Sequence, residues 1–164
     1  MRNAFQEELD SIHGTLVRMG QLVEESMSSA TKALLEPNLE LAQKIIKEDD
    51  TIDDMQHELD ARTMLIIARQ SPVAGDLRTL VTSLRMSADL ERMGDMAHHI
   101  AKLARMRYPN CAVPSEIKEI IVQMDRVAVG IIQKTTAAIE TRNTTLALQL
   151  EKDDDEMDKL HRQL

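Results

Sequence analysis

The chain has 164 residues and a net charge of −8, with 43% hydrophobic and 29% charged residues, a composition that folds around a buried core instead of staying disordered. The acidic balance argues against nucleic acid as a main partner, because binding a phosphate backbone requires a basic face. Cys111 is the single cysteine, which excludes an intramolecular disulfide and a thiolate metal cage.

No apolar run approaches the ~20 residues of a membrane-spanning helix, and the stretch Met1-Arg2-Asn3-Ala4-Phe5-Gln6-Glu7-Glu8 lacks an apolar signal region. A cytoplasmic location is therefore expected. Phe5 and Tyr108 are the only aromatic residues, and there are 11 Met. The core must then be built from Leu, Ile, Val, Ala and Met, which suits helix-on-helix packing better than a β-sandwich.

Proline punctuates the chain at 37, 72, 109 and 114 only, each time between apolar-periodic stretches, and this divides it into five helical segments. The first, about 3–35, sets Phe5, Leu9, Ile12, Leu16, Met19, Val23, Met27, Ala30 and Leu34 at steps of three and four, a single apolar stripe. The second, about 38–70, opens on Asn38 as an N-cap and carries Leu41, Ile45, Ile52, Met55 and Leu59 on one face. The third, about 72–107, has Ser71 as its expected N-cap and Pro72 at the first helical position, where a missing N–H costs nothing. Its first half faces Leu77, Leu80, Val81 and Leu84 one way. Met86, Leu90, Met93, Ala97, Ile100 and Ala104 face nearly the opposite way. Short connections make these three segments antiparallel neighbours in a three-helix bundle. The fourth and fifth segments, about 115–141 and 143–164, form a helical hairpin.

The second part of the chain echoes the first at a constant offset of 105 residues. Asn143 answers Asn38, Leu146-Ala147 answers Leu41-Ala42, and Asp153-Asp154-Asp155 answers Glu48-Asp49-Asp50. In the preceding helices Met124, Ala138 and Ile139 answer Met19, Ala33 and Leu34. Two copies of one supersecondary unit are the physical reading. Leu164 corresponds to Leu59, midway along the second segment, so the counterpart of the third segment would lie beyond residue 164. An apolar groove between the fourth and fifth segments is therefore expected, covered by another chain or closed against the first bundle.

Three pairs of carboxylates stand four residues apart: Asp49 and Asp53, Glu91 and Asp95, Asp154 and Asp158. On a helix such pairs lie one above the other with Cβ atoms about 5–6 Å apart, and they repel by a few tenths of a kcal/mol. A hard cation turns that repulsion into attraction. Spacing alone also fits plain solvated surface. The echo between two of the pairs, and a third pair on the neighbouring segment, favour a site assembled from two helices, with Asp49 and Asp53 from one and Glu91 and Asp95 from the other. Projection places Glu91, Asp95, His98 and His99 on a bundle surface or groove. Asp95-x-x-His98 has the step used by di-iron carboxylate bundles, although an exposed polar pair on a helix is the simpler account of it. No Ser–His–Asp or Cys–His arrangement and no glycine-rich phosphate loop occurs, so an enzyme is not expected.

The stretch Gln70-Ser71-Pro72-Val73-Ala74-Gly75-Asp76-Leu77-Arg78, followed by Asp89-Leu90-Glu91-Arg92-Met93-Gly94-Asp95, resembles the signature of the PhoU family. The resemblance spans essentially the whole chain and includes the acidic pair of the second segment. It implies an all-α fold: a PhoU-like antiparallel three-helix bundle over 1–110, followed over 111–164 by an incomplete second bundle, a two-helix hairpin without its third helix.

It also implies a regulator of phosphate uptake and of phosphate-starvation gene expression. Such a protein acts as an adaptor between the ATPase subunit of the phosphate ABC transporter and a two-component sensor histidine kinase, reaching the membrane only peripherally through these partners. Metal ligands carried over by position are Asp49, Asp53, Glu91 and Asp95, with Asp154 and Asp158 as half of a second site. The implied metal is a divalent or trivalent ion (iron, zinc, manganese or magnesium), and the implied assembly is a homo-oligomer. His98 and His99 depart from the family pattern. The alternative reading is a ferritin-like di-metal carboxylate bundle for iron handling, which requires carboxylates from four helices converging inside the core.

Overall fold

A computed structural model describes residues 2–164; Met1, part of the stretch read above for a signal region, lies outside the described residues. Five α-helices follow in order: α1 (Arg2–Leu35), α2 (Leu39–Gln70), α3 (Ala74–Arg107), α4 (Lys118–Thr141) and α5 (Thr144–His161), with a single 3-10 turn at Ser115–Ile117 leading into α4. The fold class is all-α, with no strand among the described residues. None of the helices is long and apolar enough to cross a membrane.

The caps explain the helix starts. The Asn38 side chain accepts a hydrogen bond from Leu41 N at 2.9 Å, and the Asn143 side chain accepts from Thr145 N at 2.9 Å. Each satisfies an amide that the first helical turn leaves unbonded. At the turn between α2 and α3 the structure departs from the sequence reading. Ser71 closes α2 in the left-handed region at φ 45° instead of opening α3, and Val73, extended at φ −124°, precedes the first residue of α3. Pro72 therefore sits in the connection, where its missing N–H ends the α2 hydrogen-bond ladder.

The core is a set of seams with a three–four step, doubled to seven once on α1 and once on α2. On α1 it runs through Leu9, Ile12, Leu16, Met19, Val23, Ala30 and Ala33, all buried. On α2 it runs through Ala42, Ile45, Asp49, Ile52, Leu59, Thr63 and Ile66. On α3 it runs through Leu80, Ser83, Ser87, Leu90, Gly94, Ala97, Ala101 and Ala104. A 3.5-residue average keeps each stripe facing its neighbours along the whole rod. At 1.5 Å per residue, the 34-residue α1 and α3 are about 51 Å long. The α3 seam corrects the sequence projection. Leu77 and Val81 are exposed, and the buried positions of this helix are mostly Ala, Ser and Gly. Small residues let two helix backbones approach closely, so α3 packs tightly through side chains that carry little hydropathy.

Helix α1 is central, touching α2, α3 and α4, whereas among the described residues α5 packs on α4 alone. The α1–α4 pairing is antiparallel: His13 Nε2 meets Ile139 O at 2.8 Å, Gln133 donates to Glu24 at 2.7 Å, and Arg142 pairs with Asp10 at 3.7 Å. Midway, Gly20 is buried against Thr136; a Cβ on Gly20 would fall 2.3 Å from Thr136 Oγ1. Ile132 of α4 joins the same apolar cluster as the α1, α2 and α3 seams. Of the two covers expected for the α4–α5 hairpin, the first bundle takes up one flank of α4 through α1.

Candidate metal centre

Asp49 occupies a seam position of α2, between Ile45 and Ile52, where the three–four step calls for an aliphatic side chain. Among the described residues it is the only ionisable one that is buried, at 8% exposure. The reason it fits lies on the facing helix. Gly94 of α3 lacks a side chain, and a Cβ built there would meet Ile52 Cδ1 at 3.0 Å and Asp49 Oδ1 at 3.7 Å. The glycine lets α2 and α3 close around the carboxylate. Burying an unpaired carboxylate is strongly unfavourable, and here His98 answers it: Nδ1 of the ring lies in hydrogen-bonding contact with Asp49 Oδ2.

Around this pair the sequence-predicted acids gather. Glu91, Asp95 and His98 follow one another on the flank of the α3 seam, partly buried, and Asp53 stands one turn beyond Asp49 on α2. Burial, followed by the charges of Asp49, Asp95 and Asp50, raises Asp53 above the ordinary carboxylate range, with His57 opposing. Burial raises Glu91 likewise, followed by Asp95, Asp53 and Asp49, with Arg92 opposing. Each of these acids feels carboxylates from the other helix, which is how a shared locus differs from separate surface acids. Asp49, Asp53, Glu91 and Asp95 thus occupy one neighbourhood between α2 and α3.

Three of the groups come closest. One ligand atom each from Asp49, Asp95 and His98 lie within 4.8 Å of one another. A cation bonded at about 2.1 Å holds its donors roughly 3–4 Å apart. Two carboxylates and an imidazole fit a divalent first-row ion. Asp60, on the same flank of α2 in projection, is committed elsewhere: it accepts from Gln56 at 2.7 Å and from Ser87 at 3.2 Å.

Asp154 and Asp158 are placed differently. Both are exposed on α5, Asp158 pairs with Arg162 at 3.5 Å, and they join no group of three metal-ligating side chains among the described residues. Their neighbour Asp153 pairs with Lys134 of α4. Asp49 lies within the apolar stripe of α2, and His98, outside the ligand set carried over by position, joins the closest cluster. The signals for both were present: the 42-45-49-52 register for Asp49, and the Asp95-x-x-His98 step for the histidine.

The ferritin-like alternative is not favoured. The clustered acids come from two helices instead of four, and Glu91, Asp95 and Asp53 flank the seam without entering it.

Comparison with known proteins bears on the family and the fold. Residues 16–104 match the PhoU domain. The chain is 37% identical over 164 residues to the phosphate-specific transport system accessory protein PhoU homolog 2 of Mycobacterium tuberculosis, covering 100% of this chain and 77% of that protein. It is 35% identical to the PhoU homolog of Clostridium acetobutylicum, covering 99% of this chain and 74% of the relative. Among solved structures, the phosphate transport system regulatory protein PhoU from Streptococcus pneumoniae superposes with a TM-score of 0.87 at 26% identity, over 98% of this chain and 74% of that one. PhoU from Pseudomonas aeruginosa superposes with a TM-score of 0.82 at 30% identity, over 97% of this chain and 76% of that one. With the PhoU-domain match over residues 16–104 and 37% identity along all 164 residues of this chain to a PhoU homolog, the chain belongs to the PhoU family.

Proposed function

We propose that this protein is an accessory regulator of phosphate transport that restrains uptake and represses phosphate-starvation genes. It is not an enzyme, in keeping with its family. In this reading it bridges the ATPase subunit of the phosphate ABC transporter and a two-component sensor histidine kinase, as a cytoplasmic homo-oligomer that reaches the membrane through its partners. The observation that carries the reading is 37% identity along the entire chain to a phosphate-specific transport system accessory protein.

Metal binding is part of the same proposal. Asp49, Asp53, Glu91 and Asp95 would hold a divalent or trivalent ion against the α2–α3 face; the mutual influence of these four carboxylates supports it. Asp154 and Asp158 repeat the spacing on α5 and are read as the exposed half of a second site. The domain division follows the same logic, with a first bundle over 1–110 and a partial second repeat over 111–164. It is supported by the matching asparagine caps of α2 and α5.

Deletion in the native host tests the function. Loss of the protein should raise phosphate uptake and switch on phosphate-starvation genes in phosphate-replete medium. Restoring the chain should reverse both and recover the transporter ATPase subunit and the kinase by affinity capture. Unchanged uptake and gene expression after deletion would sink the reading.

A further inference from the structure

Helix α3 is built inside out. Its buried positions are held by small residues such as Ser83, Ser87, Gly94 and Ala97, while Leu77, Val81, Met96, Leu103 and Met106 are exposed. Of the eleven large apolar residues exposed among the described residues, seven lie between Val73 and Tyr108. The exposure therefore belongs to this helix and its ends and is not scattered over the surface. The same outward face carries Arg78, Arg85 and Arg92, all exposed and spaced by seven residues. Among the described residues none of the three has an ion-pair partner. Positions 78, 81, 85, 88 and 92 step by three and four, so the arginines alternate with Val81 and Ala88 along one ridge. That step is the period of a helix–helix seam, here turned to solvent.

Helix α5 carries the complement. Its side away from α4 shows Leu148, Glu151, Asp155 and Asp158, again stepping by three and four and all exposed. The helix holds six acidic residues against two lysines. Glu151 and Asp158 are seven residues apart, which is the spacing of the arginines and about 10 Å along either rod. Asp158 is engaged only within its own helix, by Arg162 at 3.5 Å.

We propose that the outward face of α3 docks the outward face of α5 from a second copy of this chain, setting its arginine row against Glu151 and Asp158. The proposal rests on the reading of the chain as a homo-oligomer and gives that assembly its surfaces. Leu148 lies one turn from Glu151, and Val81 and Met96 lie one turn beyond Arg85 and Arg92, so either helix direction brings Leu148 onto an aliphatic neighbour. Every copy carries both faces. Two copies related by a two-fold axis make the contact twice; without such an axis the contact runs head to tail. An anionic bilayer is the poorer match. Laid flat on α3 it would also meet Asp89, Glu91 and Asp95, which border the stripe, whereas a single acidic helix follows the arginines alone.

The test is sedimentation equilibrium of the purified full chain in chelator and about 50 mM salt, where surface charges are least screened. Wild type is compared with Arg85→Glu/Arg92→Glu and with Glu151→Lys/Asp158→Lys, and circular dichroism melts establish that each variant folds. Wild type should self-associate, and each variant should associate about tenfold more weakly or less. An equimolar mixture of the two variants should associate like wild type, because each then meets the charge it lost. Lys44→Glu/Lys47→Glu, which changes the net charge as the arginine variant does, should leave association unchanged. Equal association of wild type and both charge-reversed variants, or a mixture that stays apart, overturns these surfaces and leaves the homo-oligomer standing. Equal weakening by Lys44→Glu/Lys47→Glu overturns them as well, since net charge would then govern association. A monomeric wild type overturns both readings, and its capture by phosphatidylserine vesicles, lost in Arg85→Glu/Arg92→Glu, would assign the α3 face to a lipid surface instead.

Discussion

A carboxylate in a helix seam destabilises the metal-free fold if its purpose is to hold a cation, and this can be measured. The perturbation is Asp49→Leu together with His98→Leu, which replaces the buried pair by apolar side chains, in keeping with the three–four step of the α2 seam. Replacing a buried ion pair by well-packed apolar groups commonly stabilises by about 1–4 kcal/mol. Here the side chains are 17% and 9% exposed, which moves the expectation to the lower half, about 1–2 kcal/mol. Relief of the Asp49 charge beside Asp53 and Glu91 acts in the same direction. For a chain of this size about 1 kcal/mol shifts Tm by roughly 2–4 °C, so the metal-free double variant should melt about 2–8 °C above metal-free wild type. Zinc at about one hundred times its Kd adds about 2.7 kcal/mol to wild type, equivalent to roughly 5–11 °C. It should add less than half of that to the variant. The assay is thermal unfolding followed by circular dichroism at 222 nm, in chelator and in zinc. A metal-free variant that melts below wild type would show that the pair anchors the fold, and the argument that Asp49 is retained for binding would fail.

Other consequences are as specific. Asp53 and Glu91 have raised native pKa values, so the native state binds more protons than the unfolded chain, and their contribution to stability falls as pH rises through the window from about 4 upward. The metal-free Tm of Asp53→Asn/Glu91→Gln should therefore exceed that of wild type at pH 7, and the gap should close toward pH 4.5; a gap that is constant with pH contradicts the shared-locus geometry. Gly20→Ala should lose about 0–2 kcal/mol in urea unfolding, the net of overpacking against Thr136 and a gain in helix propensity. In a Thr136→Ala background the same substitution should become neutral or stabilising, and equal losses in both backgrounds would refute the close α1–α4 crossing. Asn143→Ala should cost about 1 kcal/mol and speed amide exchange at the start of α5 while leaving the start of α2 unchanged, since each helix has its own cap.

Much of this molecule was legible in one sequence. Proline and asparagine punctuation gave five helices whose limits the structure moves by only a few residues, because caps and breakers act through neighbours in the chain. The miss at Ser71 and Pro72 is of the same local kind: a serine before a proline serves equally as the end of one helix or the start of the next, and the left-handed turn decided for the end. The i, i+4 acid pairs were legible too, since spacing along one helix fixes which side chains stack.

What the sequence could not determine was which stripe faces which. The α3 seam runs through Ser83, Ser87, Gly94 and Ala97, residues that carry little hydropathy, and the more apolar Leu77 and Val81 point outward. Only the facing helix shows that Gly94 is the gap into which Asp49 fits, and that His98, from another part of the chain, completes the carboxylate. Likewise α4 lies along α1 because Gly20 leaves room for Thr136. Periodicity belongs to a single helix and is written in its sequence. Complementarity between a missing side chain on one rod and a charged one on another is a property of the pair, and it exists only once the rods have packed.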